Sequence, residues 1–363
     1  MSKVKVGHFH LGNSYIAFES AIEIIGFEAA KAPTPSVKSI DYGVAHSPEF
    51  ACFPFKTFLG TYKDCVDKDA RFIVTIGGRA LASCQLEDYH KVQQQILRDN
   101  GHDITIIDFA SSKHKDILDT IHTLNKKATL PKLMFAMTVL NVKLNLINEV
   151  EDNYQNLLVL APRTAEKYQK KNLKLIRKHN NLIQLYRIRA KYFSEFRRLK
   201  NSAKKLEKRP LRIALIGDIY TMNESILNRN IIIRLAKLGV IVKKTITMAT
   251  MANNFLPMHQ YNPKLNILKQ KSKKYLARPI GGFADHTIMS AVESCEQGYD
   301  GLIHIYPFTC MPEVTARAIL PKIADDYNIP ILYIPIDEQT GEAGMQTRLE
   351  AFVDLLEIRR KNK

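Results

Sequence analysis

Asp300-Gly-Leu-Ile-His-Ile-Tyr-Pro-Phe-Thr-Cys-Met-Pro-Glu313 is the stretch that decides how the chain folds. Gly301 to Tyr306 form a short apolar run, the profile of a strand buried on both faces of a parallel sheet. Pro307 ends that strand. Pro312 suits the first turn of a following helix, where its missing N–H would have had no partner. Cys310 therefore falls between the carboxyl end of a strand and the amino end of a helix. Open α/β sheets bind ligands at that edge. A helix N-terminus also favours the thiolate, the form that ligates metals or attacks electrophiles. A small apolar cysteine at a strand end fits the same residues equally well.

Strand–helix alternation extends in both directions from this stretch. Towards the C-terminus, residues 312–327 read as a helix, 331–336 as a strand, 337–344 as a polar loop and 345–359 as a closing helix. Before it come a strand at 211–216 that closes at Gly217-Asp218, a helix at 224–238, a strand at 240–245, an irregular stretch at 248–275, and a helix that follows Gly281-Gly282 and ends near Gln297. The N-terminal part repeats the pattern. Strands are expected at 3–8, 72–76 and 103–109, with helices at 15–25, 54–65, 87–99 and after 109, and 29–39 as a connection. Such alternation implies parallel sheets. Residues 132–208 are helical in pattern with few breakers, and Pro162 can open a long helix. The organisation expected is thus α/β, with an N-terminal lobe at 1–128, a helical linker or insertion at 129–209 and a C-terminal lobe at 210–363.

Composition bounds the function classes. The hydrophobic fraction of 45% and the charged fraction of 25% are ordinary for a soluble globular chain. No run of residues approaches the roughly 20 apolar positions of a membrane span, and the N-terminus lacks the layout of a signal peptide. Five widely spaced cysteines argue against a disulfide framework. The expected compartment is reducing and cytoplasmic, with no membrane partner. The formal charge of +17 is concentrated, because residues 163–209 hold 17 Lys/Arg against 3 Glu. This basic segment reads first as a solvated face and then as a docking face for an acidic partner. A nucleic-acid surface ranks last, and it would show steeply salt-dependent binding.

The cysteines carry the main chemical signal. Cys52-Phe-Pro54 and Cys310-Met-Pro312 share a Cys-x-Pro pattern, one in each lobe and each before a helix. Cys84 follows a strand and a Gly-Gly turn, which also suits the carboxyl edge of a sheet. Three such thiolates can converge on a cleft between the lobes, and soft thiolates select zinc, copper(I) or an iron–sulfur cluster. A cluster normally takes four cysteines, so the fourth position is left to water, a ligand, or a hydroxyl such as Ser83 or Thr309. Cys65 and Cys295 fall within helices and read as structural. His8, His10 and His304 read as hydrogen-bonded histidines near strand ends. Glu313, Glu338 and Glu342 are the carboxylates near the edge loops that can handle protons, although lone carboxylates in loops are usually solvated. No dinucleotide fingerprint, phosphate loop or Cys-x-x-Cys pair occurs in the sequence.

Tyr306-Pro-Phe-Thr-Cys-Met-Pro-Glu313, Asp337-Glu-Gln-Thr-Gly-Glu-Ala-Gly344 and Arg348-Leu-Glu-Ala-Phe-Val-Asp354 resemble the 2-hydroxyacyl-CoA dehydratase superfamily, in particular its stand-alone acyl-CoA dehydratase activase-related branch, the "CoA protein activase" proteins. Ser47-Pro-Glu-Phe-Ala-Cys-Phe-Pro-Phe-Lys56 is similar to the same branch. The resemblance implies two Rossmann-like lobes and a [4Fe-4S] cluster bound by Cys52, Cys84 and Cys310. It also implies a separate ATP-hydrolysing activator that injects a low-potential electron. In the dehydratases that electron reduces an acyl-CoA thioester to a ketyl radical; relatives with a double-cubane cluster reduce small unsaturated molecules. This chain departs from the pattern at Leu81-Ala-Ser-Cys-Gln85, where the branch has Gly-Pro-Cys-Arg, and at Gly281-Gly-Phe-Ala284, where it has Gly-Gly-His-Gly. Five cysteines exclude six-thiolate ligation of a double cubane within one chain. The expected function is an iron–sulfur protein that receives electrons from the activator and reduces an acyl-CoA or other small substrate or relays the electrons, as a monomer or dimer. The alternative is a non-catalytic cluster carrier, sensor or scaffold.

Overall fold

The computed structural model describes residues 3–31, 33–75, 86–108, 121–122, 125–126, 128–203, 208–254 and 263–362. The chain divides into two compact units, Met1–Leu144 and Asn145–Lys363.

The first unit contains β1 (Lys5–His8), α1 (Tyr15–Ile25), β2 (Glu28–Ala29), α2 (Val37–His46), α3 (Phe53–Val66), β3 (Phe72–Thr75), α4 (Leu86–Asp99) and β4 (Thr105–Asp108). Its four strands are all parallel in the order β2-β1-β3-β4. α1 stops at Gly26, whose left-handed φ of 104° lets its N–H close onto the carbonyls of Glu23 and Ile22. α2 was expected as connection over its first residues. It forms because Ser36 and Ser39 cap one another, with Ser39 N–H donating to Ser36 Oγ at 3.1 Å and Ser36 N–H donating to Ser39 Oγ at 3.3 Å. α2 and α3 then approach through paired glycines. A Cβ at Gly43 would lie 1.8 Å from the Lys56 carbonyl oxygen, and one at Gly60 would lie 1.7 Å from that of Ser39.

α5 (Leu130–Leu160) starts in the first unit and ends in the second. The second unit continues with α6 (Pro162–Lys178), α7 (Leu182–Ser202), β5 (Leu211–Gly217), α8 (Ile219–Asn223), α9 (Ile231–Lys237), β6 (Val240–Lys244), α10 (Met248–Asn254), α11 (Pro263–Ser272), α12 (Ala284–Glu296), β7 (Gly301–Pro307), α13 (Met311–Tyr327), β8 (Ile331–Ile336) and α14 (Glu342–Lys361). Its sheet is also all parallel, in the order β6-β5-β7-β8. The chain is therefore an α/β protein with two parallel-sheet units whose strands follow the same order. In each sheet the order reverses beside the first strand, at β1/β3 and at β5/β7, and crevices form outside the carboxyl ends of strands at such points.

All seven residues of β7 are buried, as its apolar run requires. Leu302 packs with Ala214 and Ile216 of β5, Ile288 and Val292 of α12, and Leu320 and Ile323 of α13. Three expectations are revised. The helix expected over 224–238 is shortened to α9, since Arg229 and Asn230 before it adopt left-handed φ values of 51° and 56°; α8 is a further short helix ahead of that span. The irregular stretch 248–275 contains α10 and α11. The closing helix begins at Glu342, inside the expected loop.

α5 bears on a further one. Its 31 residues include an 18-residue window of mean hydropathy 1.3, so by length and composition it is long and apolar enough to cross a membrane. Charges at Lys132 and Lys143 interrupt its apolar runs in the sequence, which is why no such span was expected. Leu133 and Ala136 pack in the core of the first unit with Ile22, Ile25 and Phe27. In the second unit Val150, Leu157 and Leu158 are buried. Tyr168 of α6 accepts a hydrogen bond from Asn153 Nδ2 at 3.0 Å, and Arg189 of α7 forms an ion pair with Glu149 at 2.6 Å.

Candidate functional site

β7 delivers the chain to the carboxyl edge of the second sheet. Phe308 N–H donates to the Ile336 carbonyl at 3.0 Å, and Cys310 N–H donates to that of Pro307 at 3.0 Å, which fixes the turn. Cys310 is the N-cap of α13, with extended φ and ψ of −76° and 100°, and Pro312 lies in the first turn. Its side chain makes no capping hydrogen bond to the helix. Cys310 is half-buried, while the neighbouring apolar side chains Phe308, Met311 and Val314 are exposed.

Cys52 stands in the same local setting in the first unit. It is the N-cap of α3, with φ −64° and ψ 153°, and Pro54 lies in the first turn. Its Sγ lies 3.6 Å from Tyr89 Oη of α4. Gln93 of α4 also donates to the Phe55 carbonyl at 3.1 Å, so α4 steadies the start of α3. Phe50, two residues before Cys52, is 77% exposed. α3 leads into β3 and α13 follows β7, so each cysteine belongs to a helix joined to a strand at the order reversal. Cys84 lies outside the described residues, on the segment between β3 and α4, as does Ser83.

The other two thiols differ in their electrostatics. Burial pushes both Cys65 and Cys295 up to about 12. Each is therefore a neutral thiol at neutral pH and a poor metal ligand or nucleophile. Cys65 packs against Gly7 of β1, and its Sγ points to the His8 carbonyl at 3.9 Å.

Glu313 is the principal surprise among the carboxylates. Instead of lying solvated in a loop, it sits in the first turn of α13 with no exposure. His304 Nε2 donates to Glu313 Oε2 at 2.8 Å, and Thr287 Oγ1 of α12 lies 3.0 Å from each carboxylate oxygen. His304 is equally buried, stacks on Tyr306 with ring centroids 4.6 Å apart, and among the described residues has no hydrogen-bond partner at Nδ1. Arg317 donates to Tyr306 Oη at 3.0 Å, which fixes the outer end of the stack. The other two candidates are placed differently. Glu342 is exposed at the start of α14 and pairs with Arg234 at 2.6 Å, and Glu338 is half-buried in the loop before it.

The sequence reading missed Asp218. Gly217 adopts φ 129°, and a Cβ there would lie 1.9 Å from the Ile305 carbonyl oxygen, so only glycine lets β5 turn at this point. Asp218 then caps α8, accepting from Thr221 N–H at 2.7 Å and from Thr221 Oγ1 at 2.8 Å. Burial pushes its carboxyl up to about 6, against those hydrogen bonds, and the charge of Glu313 adds to the rise. The Asp218-x-x-Thr221 spacing was a legible capping signal. Nothing in the sequence singled out Thr287.

In the first unit, His8 ends β1 fully buried, with Nδ1 2.9 Å from the Phe9 carbonyl and, among the described residues, no partner at Nε2. Burial lowers it to about 4, so it is neutral at physiological pH. His10 stacks on Tyr15 at 5.3 Å.

Among the described residues, no three His, Cys, Asp or Glu side chains are grouped to hold a metal ion. The two N-cap thiols are of the soft donor type that iron–sulfur clusters and zinc use. Comparison of the chain with protein-family models and with curated proteins finds no match in either.

Proposed function

We propose that this chain is an iron–sulfur protein of the 2-hydroxyacyl-CoA dehydratase kind. Cys52, Cys84 and Cys310 supply thiolates to a [4Fe-4S] cluster, and an ATP-hydrolysing activator supplies the electron. The observation that carries this reading is the matched setting of Cys52 and Cys310. Each is the N-cap of a helix with proline in its first turn, each is only half-buried, and each helix joins a strand at the reversal of its sheet. The similarity of 306–313, 337–344 and 348–354 to the superfamily supports the same reading. When bound, such a cluster supplies one electron at low potential, within a range that reaches about −700 mV.

The chain's own residues have defined tasks in this proposal. Cys52 and Cys310 stand at the N-termini of α3 and α13, where the helix dipole attracts negative charge such as that of a thiolate-bound cluster. Phe308, Met311 and Val314 present an apolar rim beside Cys310 that displaces water when a partner or substrate covers it. Glu313 holds His304 in one tautomer, with the proton on Nε2, and so leaves Nδ1 available as the acceptor. The alternative, a cluster carrier, sensor or scaffold, is favoured by one observation: Glu313 and His304 are both enclosed, with no exposure to a substrate.

Anaerobic purification with iron and sulfide analysis, followed by paramagnetic resonance of the reduced protein, tests the proposal. Bound iron and sulfide with a resonance that changes on addition of an acyl-CoA support the catalytic form. A resonance indifferent to acyl-CoA supports the carrier. Absence of iron and sulfide after anaerobic reconstitution contradicts both.

A further inference from the structure

We propose that the outward face of α6 is a docking surface for duplex DNA. Arg163, Lys167, Lys170, Lys174, Arg177 and Lys178 are all exposed. At 3.6 residues per turn they fall in a stripe about 100° wide that runs the ~25 Å length of the helix. α6 contains a single acidic residue, Glu166, at the edge of that stripe.

The opposite face is anchored, so the stripe has a fixed orientation within its unit. Ala165, Tyr168, Asn172 and Ile176 are buried. Tyr168 Oη accepts from Asn153 Nδ2 at 3.0 Å and donates to the Tyr192 carbonyl at 3.3 Å. Lys171, beside the stripe, pairs with Glu195 of α7 at 3.0 Å.

Helix stability does not account for these charges. Lys170/Lys174 and Lys174/Lys178 are like-charge pairs at i,i+4, which repel. Arg163 sits in the first turn, where cations oppose the helix dipole and where α6 has no acidic residue. Arg177 and Lys178 alone complement the dipole, at the last turn. A continuous line of anions would complement the sign of the whole stripe.

The chemistry of the face selects among polyanions. Protein interfaces deplete lysine and rely on buried aromatic or aliphatic anchors, and α6 exposes no large hydrophobic side chain. A membrane-surface helix inserts its apolar face, and that of α6 is already buried. Single-strand binders stack bases on aromatic side chains, and the one aromatic of α6, Tyr168, points inward. What is left is sequence-independent contact with phosphates. The B-form major groove is about 12 Å wide and admits a helix, whereas that of A-form RNA is too narrow.

The test uses the full-length protein and a fluorescein-labelled mixed-sequence DNA duplex of ~20 base pairs, followed by anisotropy over a salt series. With about five phosphates contacted, log K should fall against log salt with a slope near −4.5. The K167Q/K170Q/K174Q variant should flatten that slope by about 3 while keeping its thermal unfolding profile. The charge-reversed K170E/K174E/R177E variant should lose binding at ~50 mM salt. The proposal is overturned if the duplex is not bound at that salt, if the glutamine variant keeps the slope, or if duplex RNA, polyglutamate or anionic vesicles bind as tightly as DNA. Iron content is read on the same variants and should not change, which separates this surface from the cysteine site.

Discussion

Replacing Glu313 probes the buried network most sharply. In Glu313→Leu, His304 Nε2–H and Thr287 Oγ–H both lose their acceptor in a site with no exposure. Leaving a buried donor without an acceptor costs about 1–3 kcal/mol, and here two donors are left, a large share of the roughly 5–15 kcal/mol that holds a typical domain folded. Glu313→Gln keeps an amide oxygen where it can accept from either donor, so its cost should be nearer 1 kcal/mol. The chain has no tryptophan, so urea unfolding is followed by far-UV circular dichroism, with hydrogen exchange of peptides from β7, α12 and α13 to localise the loss. A second readout comes from Asp218, which is pushed up to about 6 chiefly by burial and partly by Glu313. A carboxyl raised in the folded state stabilises most below its unfolded value, near 4, and that contribution is lost as pH rises through about 6. Both variants remove the Glu313 charge, so both should lower Asp218 and shrink this loss. A Leu variant destabilised by less than about 1 kcal/mol, or equal to the Gln variant, would refute the argument that the network needs an acceptor at this position.

Two further outcomes follow from the structure. Gly217→Ala places a Cβ 1.9 Å from the Ile305 carbonyl oxygen at φ 129°, so it should either fail to fold or lose more than about 3 kcal/mol in the same urea assay; a near-native stability would mean the β5 turn is not as tight as described. His8, lowered to about 4 by burial, contributes stability that is complete above pH 6.5 and is lost as pH falls towards 4. His8→Asn should therefore flatten the acid side of the stability–pH curve, and a curve of unchanged slope between those values would contradict the burial argument.

The sheet architecture was legible because β7, β8 and β5 are predominantly apolar runs, and because Pro307 and Pro312 mark where strand and helix exchange. α2 was half-hidden. Its first turn depends on a Ser36–Ser39 capping pair, and its packing depends on Gly43, a residue that reads in sequence as a helix breaker but here admits the backbone of α3. The late start of α9 rests on two left-handed residues, Arg229 and Asn230, and only the asparagine is a type that favours that conformation.

For the site, the setting of Cys310 and Cys52 at helix starts could be read from Cys-x-Pro. Glu313 was grouped with the edge-loop carboxylates, usually solvated, although residues 312–327 read as a helix; His304 on β7 and Thr287 on α12 both face it. That meeting joins residues nine and 26 positions from Glu313, a separation that local pattern does not encode. Cys84 lies outside the described residues, so its expected place beside the other two thiols is carried by the sequence alone.

The most direct test of the proposed function is the iron-to-protein ratio of the anaerobically reconstituted chain and of its five single Cys→Ala variants. The proposal expects about four iron atoms per chain in the parent, retention in Cys65→Ala and Cys295→Ala, and loss in Cys52→Ala, Cys84→Ala and Cys310→Ala. A parent chain that binds no iron, or variants of Cys52 and Cys310 that keep the full complement, would contradict it.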